Sequence, residues 1–230
     1  MRMLDLFCGR FGWGRAFAAR GHQVVGIDLV APDEIPAGCT FIQADIMQLY
    51  VGADGLTVHE PHKVRNQFLG RIDFICASSP CENFSVHGLK CFHKAPPYPE
   101  LGIRLFNHTR AICEASGVPY IMENVRAAQD FVGQAVNHCG SFYLWGSGVP
   151  PILPQGIKKG MKLAGITGAQ AKAMTREELL NHRRADNMMW VSSKSQKRKD
   201  ATAGVATIPP ELANCVADYA ERILEQQRTA

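Results

Sequence analysis

Short apolar segments alternate with helical stretches over the first half of the chain, and each apolar segment ends at a glycine-rich or polar sequence. We predict helices near residues 15–20 and 101–116, and strands at residues 3–7, 23–27, 40–43, 71–77 and 119–122. This alternation is typical of an α/β fold in which a mostly parallel, doubly wound sheet carries helices on both faces. Ligands bind such sheets at the carboxyl ends of the strands. The polar sequences that follow the strands are therefore the candidates for a functional site.

The length of the chain limits the number of domains. Its 230 residues suffice for one α/β domain and a small appendage. The alternation weakens after Gly146, and the sequence Val149-Pro150-Pro151 predicts an exit linker. We predict a core over residues 1–150 and a small basic region over 151–200 that includes a helix near 176–184. Residues 201–230 should return to the core as a helix near 211–226.

Composition disfavours several classes of protein. No apolar run is long enough to cross a bilayer, and Asp5 interrupts the N-terminus before a signal-peptide core can form, so we expect neither a membrane partner nor export. The eight cysteines form no CxxC pair, which favours a reducing cytoplasm. His87, Cys91 and His93 lack the second ligand pair of a zinc finger, so a polar loop is favoured there and no metal is predicted.

Positive charge is concentrated in one segment. Residues 155–200 contain eleven Lys or Arg and four Asp or Glu, a net charge of +7 in a chain whose total is +4. A basic surface of this kind suits a polyanionic partner such as nucleic acid, although a solvated charged face has the same composition.

The first candidate site is the glycine-rich turn after the first strand. Gly9, Gly12 and Gly14 lie between that strand and a helix, where glycines let a ligand approach the backbone closely. Asp28 and Asp45 end the next two strands, where an acid can bind ribose hydroxyls. The spacing differs from GxGxxG, which disfavours a simple NAD site. Plain turns with helix-capping acids are the alternative interpretation.

Two later strand ends carry candidate catalytic side chains. Cys81 follows a buried strand and is preceded by Pro80, which restricts the backbone, so its thiol is positioned like a nucleophile at the rim of a pocket. Cys76, inside the same strand, represents the alternative of a small buried apolar residue. Glu123 emerges from an apolar strand, where desolvation favours the protonated form and suits it to donate a proton. A surface carboxylate that caps the next helix is the alternative for Glu123.

Together these sequences resemble the cytosine-C5 DNA methyltransferases, and in particular their short phage-type members. Residues 4–14 are similar to the family's DLFxGxGG cofactor motif, residues 80–85 are similar to its PCQxFS nucleophile motif, and Glu123-Asn124-Val125 matches its ENV motif. The motifs occur in the family's order at comparable spacing. The resemblance covers residues 3–145 well and the rest of the chain thinly.

The resemblance implies a Rossmann-like methyltransferase fold that uses S-adenosylmethionine, releases S-adenosylhomocysteine and acts on DNA. It implies that Cys81 adds to C6 of a flipped cytosine and that Glu123 protonates N3. Pro80 and Asn124 would hold the catalytic loops. The residues that it implies for cofactor binding are Phe7 at the adenine, Asp28 at the ribose, Asp45 at the adenine amino group, and Gly9, Gly12, Gly14, Leu29 and Ile46 around them. Those that it implies for nucleic-acid binding are Ser85, Arg126, Arg183, Arg184, Lys197 and Arg198. A monomer in the cytoplasm of a bacterium or a phage-infected cell is compatible with it.

Three departures from the family pattern leave alternatives open. Phe11 stands where the motif usually has a small residue. A changed pocket there could accommodate a modified sulfonium cofactor, which is one alternative to S-adenosylmethionine. Glu82 replaces the usual Gln, and no arginine-rich motif follows Glu123. The same chemistry on RNA, on single-stranded DNA or on a free cytidine nucleotide is one alternative. A non-catalytic, cofactor-binding regulator is another.

Overall fold

The computed structural model describes residues 1–59, 67–84, 99–157 and 207–229. Within these ranges seven strands form one sheet in the order β3-β2-β1-β7-β8-β10-β9. The strands are β1 (Arg2–Leu6), β2 (Gln23–Asp28), β3 (Cys39–Gln43), β7 (Phe74–Ser78), β8 (Tyr120–Asn124), β9 (Asn137–Cys139) and β10 (Phe142–Trp145). The described helices are α1 (Gly14–Ala18), α2 (Pro99–Ser116), α3 (Gln129–Val132) and α4 (Pro210–Thr229).

The first five strands of this sheet run parallel, as the sequence predicts. Strand β1 pairs with β2 and with β7, β2 pairs with β3, and β7 pairs with β8, all in the parallel sense. Their carboxyl ends consequently share one edge of the sheet. That edge carries the residues that follow β1, β2, β3 and β7, together with the last residues of β8.

Helices cover both faces of the sheet, which confirms the doubly wound α/β class. Alternate residues of each strand face opposite sides, as the period of a strand requires. One face packs Met3 and Cys76 against Phe17 of α1 and Leu212 of α4. The other face packs Leu4 and other strand residues against Phe106, Ile112 and Cys113 of α2. The parallel strands are therefore buried on both sides, which explains why they read as nearly continuous apolar runs.

Antiparallel structure appears in two places where the sequence analysis predicts none. Strands β9 and β10 form a hairpin, and β10 pairs antiparallel with β8 at the end of the sheet. A separate sheet joins β4 (Leu49–Gly52), β5 (Gly55–Val58) and β6 (Gln67–Phe68). These strands contain only two to four residues, too few to show a clear alternating pattern.

The C-terminal helix α4 packs on the same compact unit as the sheet, which comprises Met1–Ile157 and the segment from Ile208 onward. Leu212 and Val216 of this helix are fully buried, so the predicted return of the chain to the core as a helix is confirmed. The unit extends past the predicted boundary at residue 150 because Leu153 is buried in its core. The predicted basic region beyond Ile157 and its helix near 176–184 lie outside the described residues. None of the described helices combines the length and apolar composition of a membrane span.

Candidate functional site

The glycine-rich turn between β1 and α1 has an unusual backbone. Phe7, Gly9 and Phe11 adopt positive φ values of 59°, 48° and 58°. For a phenylalanine this left-handed conformation carries strain, and such strain is typical of ligand-binding turns. The backbone N–H of Gly9 donates a hydrogen bond to Oδ2 of Asp28 at 3.0 Å. A Cβ atom built on Gly9 would meet no atom within 4 Å, so this part of the turn faces open space.

The other two glycines of the turn have internal packing reasons. A Cβ atom on Gly12 would lie 3.1 Å from the backbone nitrogen of Ile208. A Cβ atom on Gly14 would lie 2.9 Å from both the Phe11 ring and a methyl group of Val24. Packing against neighbouring residues therefore accounts for Gly12 and Gly14 but not for Gly9.

Phe11 is a core residue. Its side chain has no solvent exposure, and a Cβ atom on Gly26 would overlap its ring. The missing side chains of Gly14 and Gly26 thus provide the space that the Phe11 ring fills. Because the ring points into the core, the departure at Phe11 does not reshape an open cofactor cleft. A modified sulfonium cofactor finds no support at this position.

Asp28 ends β2 and Asp45 lies two residues after the neighbouring β3, and both half-buried carboxylates accept backbone hydrogen bonds. Asp28 accepts from Gly9 and, through Oδ1 at 3.2 Å, from the N–H of Val30. Asp45 accepts from the N–H of Met47 at 2.9 Å and caps a short 3-10 helix. Leu29, beside Asp28, is 61% exposed, whereas Ile46 is buried in the core beneath Asp45. The Leu29 side chain is therefore accessible at this edge, whereas the Ile46 side chain is part of the core.

A buried carboxyl group supports the turn from beneath. Asp5 in β1 is 1% exposed, and its Oδ2 accepts a hydrogen bond from the Gly14 N–H at 2.9 Å. Burial raises the pKa of Asp5 well above its usual range, the hydrogen bond from Gly14 lowers it, and the charge of Asp28 raises it again. Asp5 consequently fixes where α1 begins. The cofactor-like motif includes Asp5, but its sequence does not predict this buried contact with Gly14.

The loop after β7 presents Cys81 at the same edge of the sheet. Asn124, fully buried at the end of β8, donates through Nδ2 to both the backbone oxygen and Oγ of Ser79 at 3.1 and 3.0 Å. Pro80 is exposed and Cys81 is half-buried. The Phe84 N–H donates to the Cys81 carbonyl at 3.1 Å and closes the turn. Asn124 therefore holds the backbone that leads into Cys81.

The Cys81 turn rests on helix α2 at a glycine. Phe84 is fully buried and its ring lies 5.7 Å from that of Phe131. A Cβ atom on Gly102 would lie 2.7 Å from Cβ of Asn83 and 3.0 Å from the Phe84 ring. Only a glycine lets the turn approach the helix this closely. A glycine inside a helical pattern was the available signal for this contact.

Glu123 lies beside the strand that leads to Cys81. It is 8% exposed and pairs with Ser78, the last residue of β7, in the parallel register. The oxygen Oγ of Ser78 accepts a hydrogen bond from the indole nitrogen of Trp13 at 2.9 Å. The adjacent strands β7 and β8 thus bring Glu123 close to the start of the Cys81 loop. The hydrogen bond from the Trp13 indole connects the end of β7 to the glycine-rich turn.

The predicted site residues divide into two groups. Those on the strand ends and turns lie along one edge of the sheet, and Arg126 is exposed immediately after β8. The predicted nucleic-acid contacts Ser85, Arg183, Arg184, Lys197 and Arg198 lie outside the described residues, as does the grouping near His87. Within the part of the chain that the structure describes, no three His, Cys, Asp or Glu side chains are placed to hold a metal ion.

Part of the chain is similar in sequence to a known methyltransferase. It is 30% identical over 92 residues to the type II methyltransferase M.AgeI of Thalassovita gelatinovora. The alignment covers 38% of this chain but only 20% of that protein, so the chain matches about a fifth of the length of this relative. No family model matches the sequence.

Two solved structures are similar in part. One is described as a DNA modification methyltransferase encoded within an E. coli prophage, with a TM-score of 0.34, 18% identity, and coverage of 56% of this chain and 33% of that one. The other is the 1,6-didemethyltoxoflavin-N1-methyltransferase of Burkholderia thailandensis, with a TM-score of 0.31, 13% identity, and coverage of 63% and 53%. Both TM-scores are low, so the fold class rests on the strand order of the chain itself.

Proposed function

We propose that this protein transfers a methyl group from S-adenosylmethionine to C5 of cytosine in DNA through a covalent bond between Cys81 and C6. The observation that carries the proposal is the shared sheet edge. Adjacent strand ends bring a turn suited to a nucleoside ligand next to a thiol and a buried carboxyl group. The sequence similarity to a type II methyltransferase supports the same class of reaction.

The residues at the first two strand ends fit S-adenosylmethionine. The open backbone at Gly9 allows close approach, and Asp28 keeps acceptor capacity for ribose hydroxyls beyond its two backbone hydrogen bonds. Phe7 and the exposed Leu29 offer apolar surface for an adenine ring. When bound, S-adenosylmethionine supplies an electrophilic methyl group on a sulfonium.

The catalytic work falls to Cys81 and Glu123. The Cys81 thiolate adds to C6 of the cytosine ring, and Glu123 protonates N3, so electron density moves to C5. After C5 has gained the methyl group, its proton passes to solvent and the C6–S bond breaks. The double bond between C5 and C6 re-forms, the thiolate leaves, and Glu123 takes back the N3 proton. Because C6 is inaccessible in stacked DNA, the base must first leave the helix.

DNA is the proposed partner because of charge and because of the M.AgeI relative. The +7 segment over residues 155–200 suits a phosphate backbone. This protein would be incubated with radiolabelled S-adenosylmethionine and duplex DNA, single-stranded DNA, RNA or cytidine monophosphate, and the modified atom would be mapped. We expect 5-methylcytosine in DNA. Label only in RNA or in the mononucleotide would contradict the DNA assignment while leaving the chemistry intact.

The role of Cys81 has its own test. Cys81→Ala should abolish transfer but still bind S-adenosylhomocysteine in calorimetry, because the cofactor residues lie on other strands. Cys215→Ala is the matched control, since Cys215 is also a half-buried free cysteine but lies on α4. Transfer at the normal rate by Cys81→Ala would contradict the mechanism. The regulator alternative would be favoured if the unmodified protein binds the cofactor but transfers no methyl group to any of the four substrates.

A further inference from the structure

Trp13 links two segments that are far apart in sequence. It lies in the glycine-rich turn, is 1% exposed, and donates from Nε1 to Oγ of Ser78, which is 65 residues away along the chain. Ser78 ends β7, so its backbone leads directly through Ser79 and Pro80 to Cys81. The same Ser78 pairs with Glu123 in the sheet. One hydrogen bond therefore connects the proposed donor turn to the strand that leads to Cys81 and pairs with Glu123.

We infer that Trp13 is a positioning residue for methyl transfer, an inference that rests on the proposed function. In the proposed mechanism neither Trp13 nor Ser78 contacts the cytosine or the methyl donor. Their bond ties the turn that would hold the methyl donor to Ser78, one residue beyond the last backbone pair of β1 and β7, Leu6 with Ala77, and so extends the connection of these strands toward the loop that holds the thiol. Transfer requires donor and acceptor atoms in line, and a misplacement of about 1 Å can lower a rate by about 100-fold. Asn124 anchors the Cys81 loop to β8, whereas Trp13 anchors its strand to the donor turn.

The protein contains a matched control for this role. Trp145 is also buried, at 4% exposure, and its indole nitrogen donates to the Gly133 carbonyl at 2.9 Å. That bond joins β10 to the residue after α3 and involves none of the proposed site residues. Trp13→Phe and Trp145→Phe each keep an aromatic ring and lose one buried indole hydrogen bond. Any difference between them in catalysis reflects where the bond lies.

The test compares Trp13→Phe, Ser78→Ala, the double variant and Trp145→Phe. We expect kcat for DNA methylation to fall about 10-fold in each of the first two variants. Affinity for S-adenosylhomocysteine should change less than about two-fold, because Phe7, Gly9 and Asp28 are untouched. The double variant should be no slower than either single variant, since both changes remove the same bond. Trp145→Phe should keep the normal kcat even if its stability falls.

A second readout does not depend on turnover. S-adenosylhomocysteine should alter the rate at which iodoacetamide alkylates Cys81, measured by peptide mass spectrometry, in the unmodified protein and in Trp145→Phe. Trp13→Phe should lose most of this response. Burial raises the pKa of Cys8 and Cys76, which keeps these thiols protonated and slows their alkylation.

The two readouts separate the inference from the proposed function. If DNA is methylated and Trp13→Phe keeps both normal kcat and the normal alkylation response, the positioning role is wrong while the function stands. Additive losses in the double variant would also overturn it. If no cytosine substrate is methylated, the proposed function fails. The alkylation response of Trp13→Phe then decides whether the two loops are coupled.

Discussion

Replacing Gly102 with alanine should separate catalysis from stability, because the Cys81 turn packs directly on this position of α2. An alanine Cβ would lie 2.7 Å from Cβ of Asn83 and 3.0 Å from the Phe84 ring. Carbon atoms pack at about 3.5–4.0 Å, so the turn must retreat by about 1 Å. Asn83 cannot relieve the contact by rotating its side chain, because Cβ is fixed to the backbone. Cys81, two residues earlier, should move with it.

The expected magnitudes differ for the two properties. Alanine favours a helix over glycine by about 1 kcal/mol, and overpacking costs about 1–3 kcal/mol. The free energy of unfolding should therefore fall by only about 0–2 kcal/mol. A shift of about 1 Å at the nucleophile should lower kcat by about 10–100-fold.

Methylation kinetics and urea denaturation of Gly102→Ala provide the assay. Asn107→Ala is the control, since Asn107 is an exposed residue of the same helix. Its kcat should be unchanged. A normal kcat in Gly102→Ala, at any stability, would refute the claim that this contact sets the position of Cys81.

Three further predictions concern the strand ends. Asp28→Asn should weaken S-adenosylhomocysteine binding by about 10–100-fold, since hydrogen bonds to a charged group contribute about 1.5–3 kcal/mol. An unchanged Kd in calorimetry would exclude Asp28 from the cofactor site. Asn124→Ala should lower the free energy of unfolding by about 1–3 kcal/mol, because it leaves two buried oxygens of Ser79 without their donor; a normal urea midpoint would contradict this. Because burial raises the pKa of Asp5 above the usual value of 3.8, the native state keeps a proton that the unfolded chain releases. Stability should therefore fall as pH rises from that value through the folded-state pKa. Asp5→Asn, which can still accept from Gly14, should flatten this fall, and superimposable pH profiles of stability for the two proteins would disprove the account.

The sequence predicts the parallel core well because burial on both faces leaves a simple signal. Strand β2 begins at Gln23 as expected, and helix α2 ends at Ser116 as expected. Strand β7 begins at Phe74, three residues later than predicted, because Arg71 is exposed and the segment before Phe74 is not paired in the sheet. The hairpin of β9 and β10 escapes prediction because its strands have only three and four residues, too few for a clear alternating pattern, and their pairing partners, β8 and each other, are set by the fold.

The site was predicted at the level of strand ends but not of the contacts between them. A motif identifies Asp28 because it ends its strand and Cys81 because it lies in the loop that follows its strand. It does not show that Trp13 reaches Ser78, since that bond depends on how β1 and β7 pair. It also does not show that the Phe11 ring fills the space left by Gly26, because these two residues, fifteen positions apart in sequence, meet only in the fold.

Covalent trapping tests the central claim most directly. DNA that contains 5-fluorocytosine would be incubated with this protein and S-adenosylmethionine, because fluorine at C5 cannot leave as a proton does. We predict a denaturation-resistant complex that needs the cofactor, is absent with Cys81→Ala, and yields a DNA-linked peptide containing Cys81. Methylation of ordinary DNA without any trapped complex, or attachment through a different cysteine, would contradict addition of Cys81 to C6.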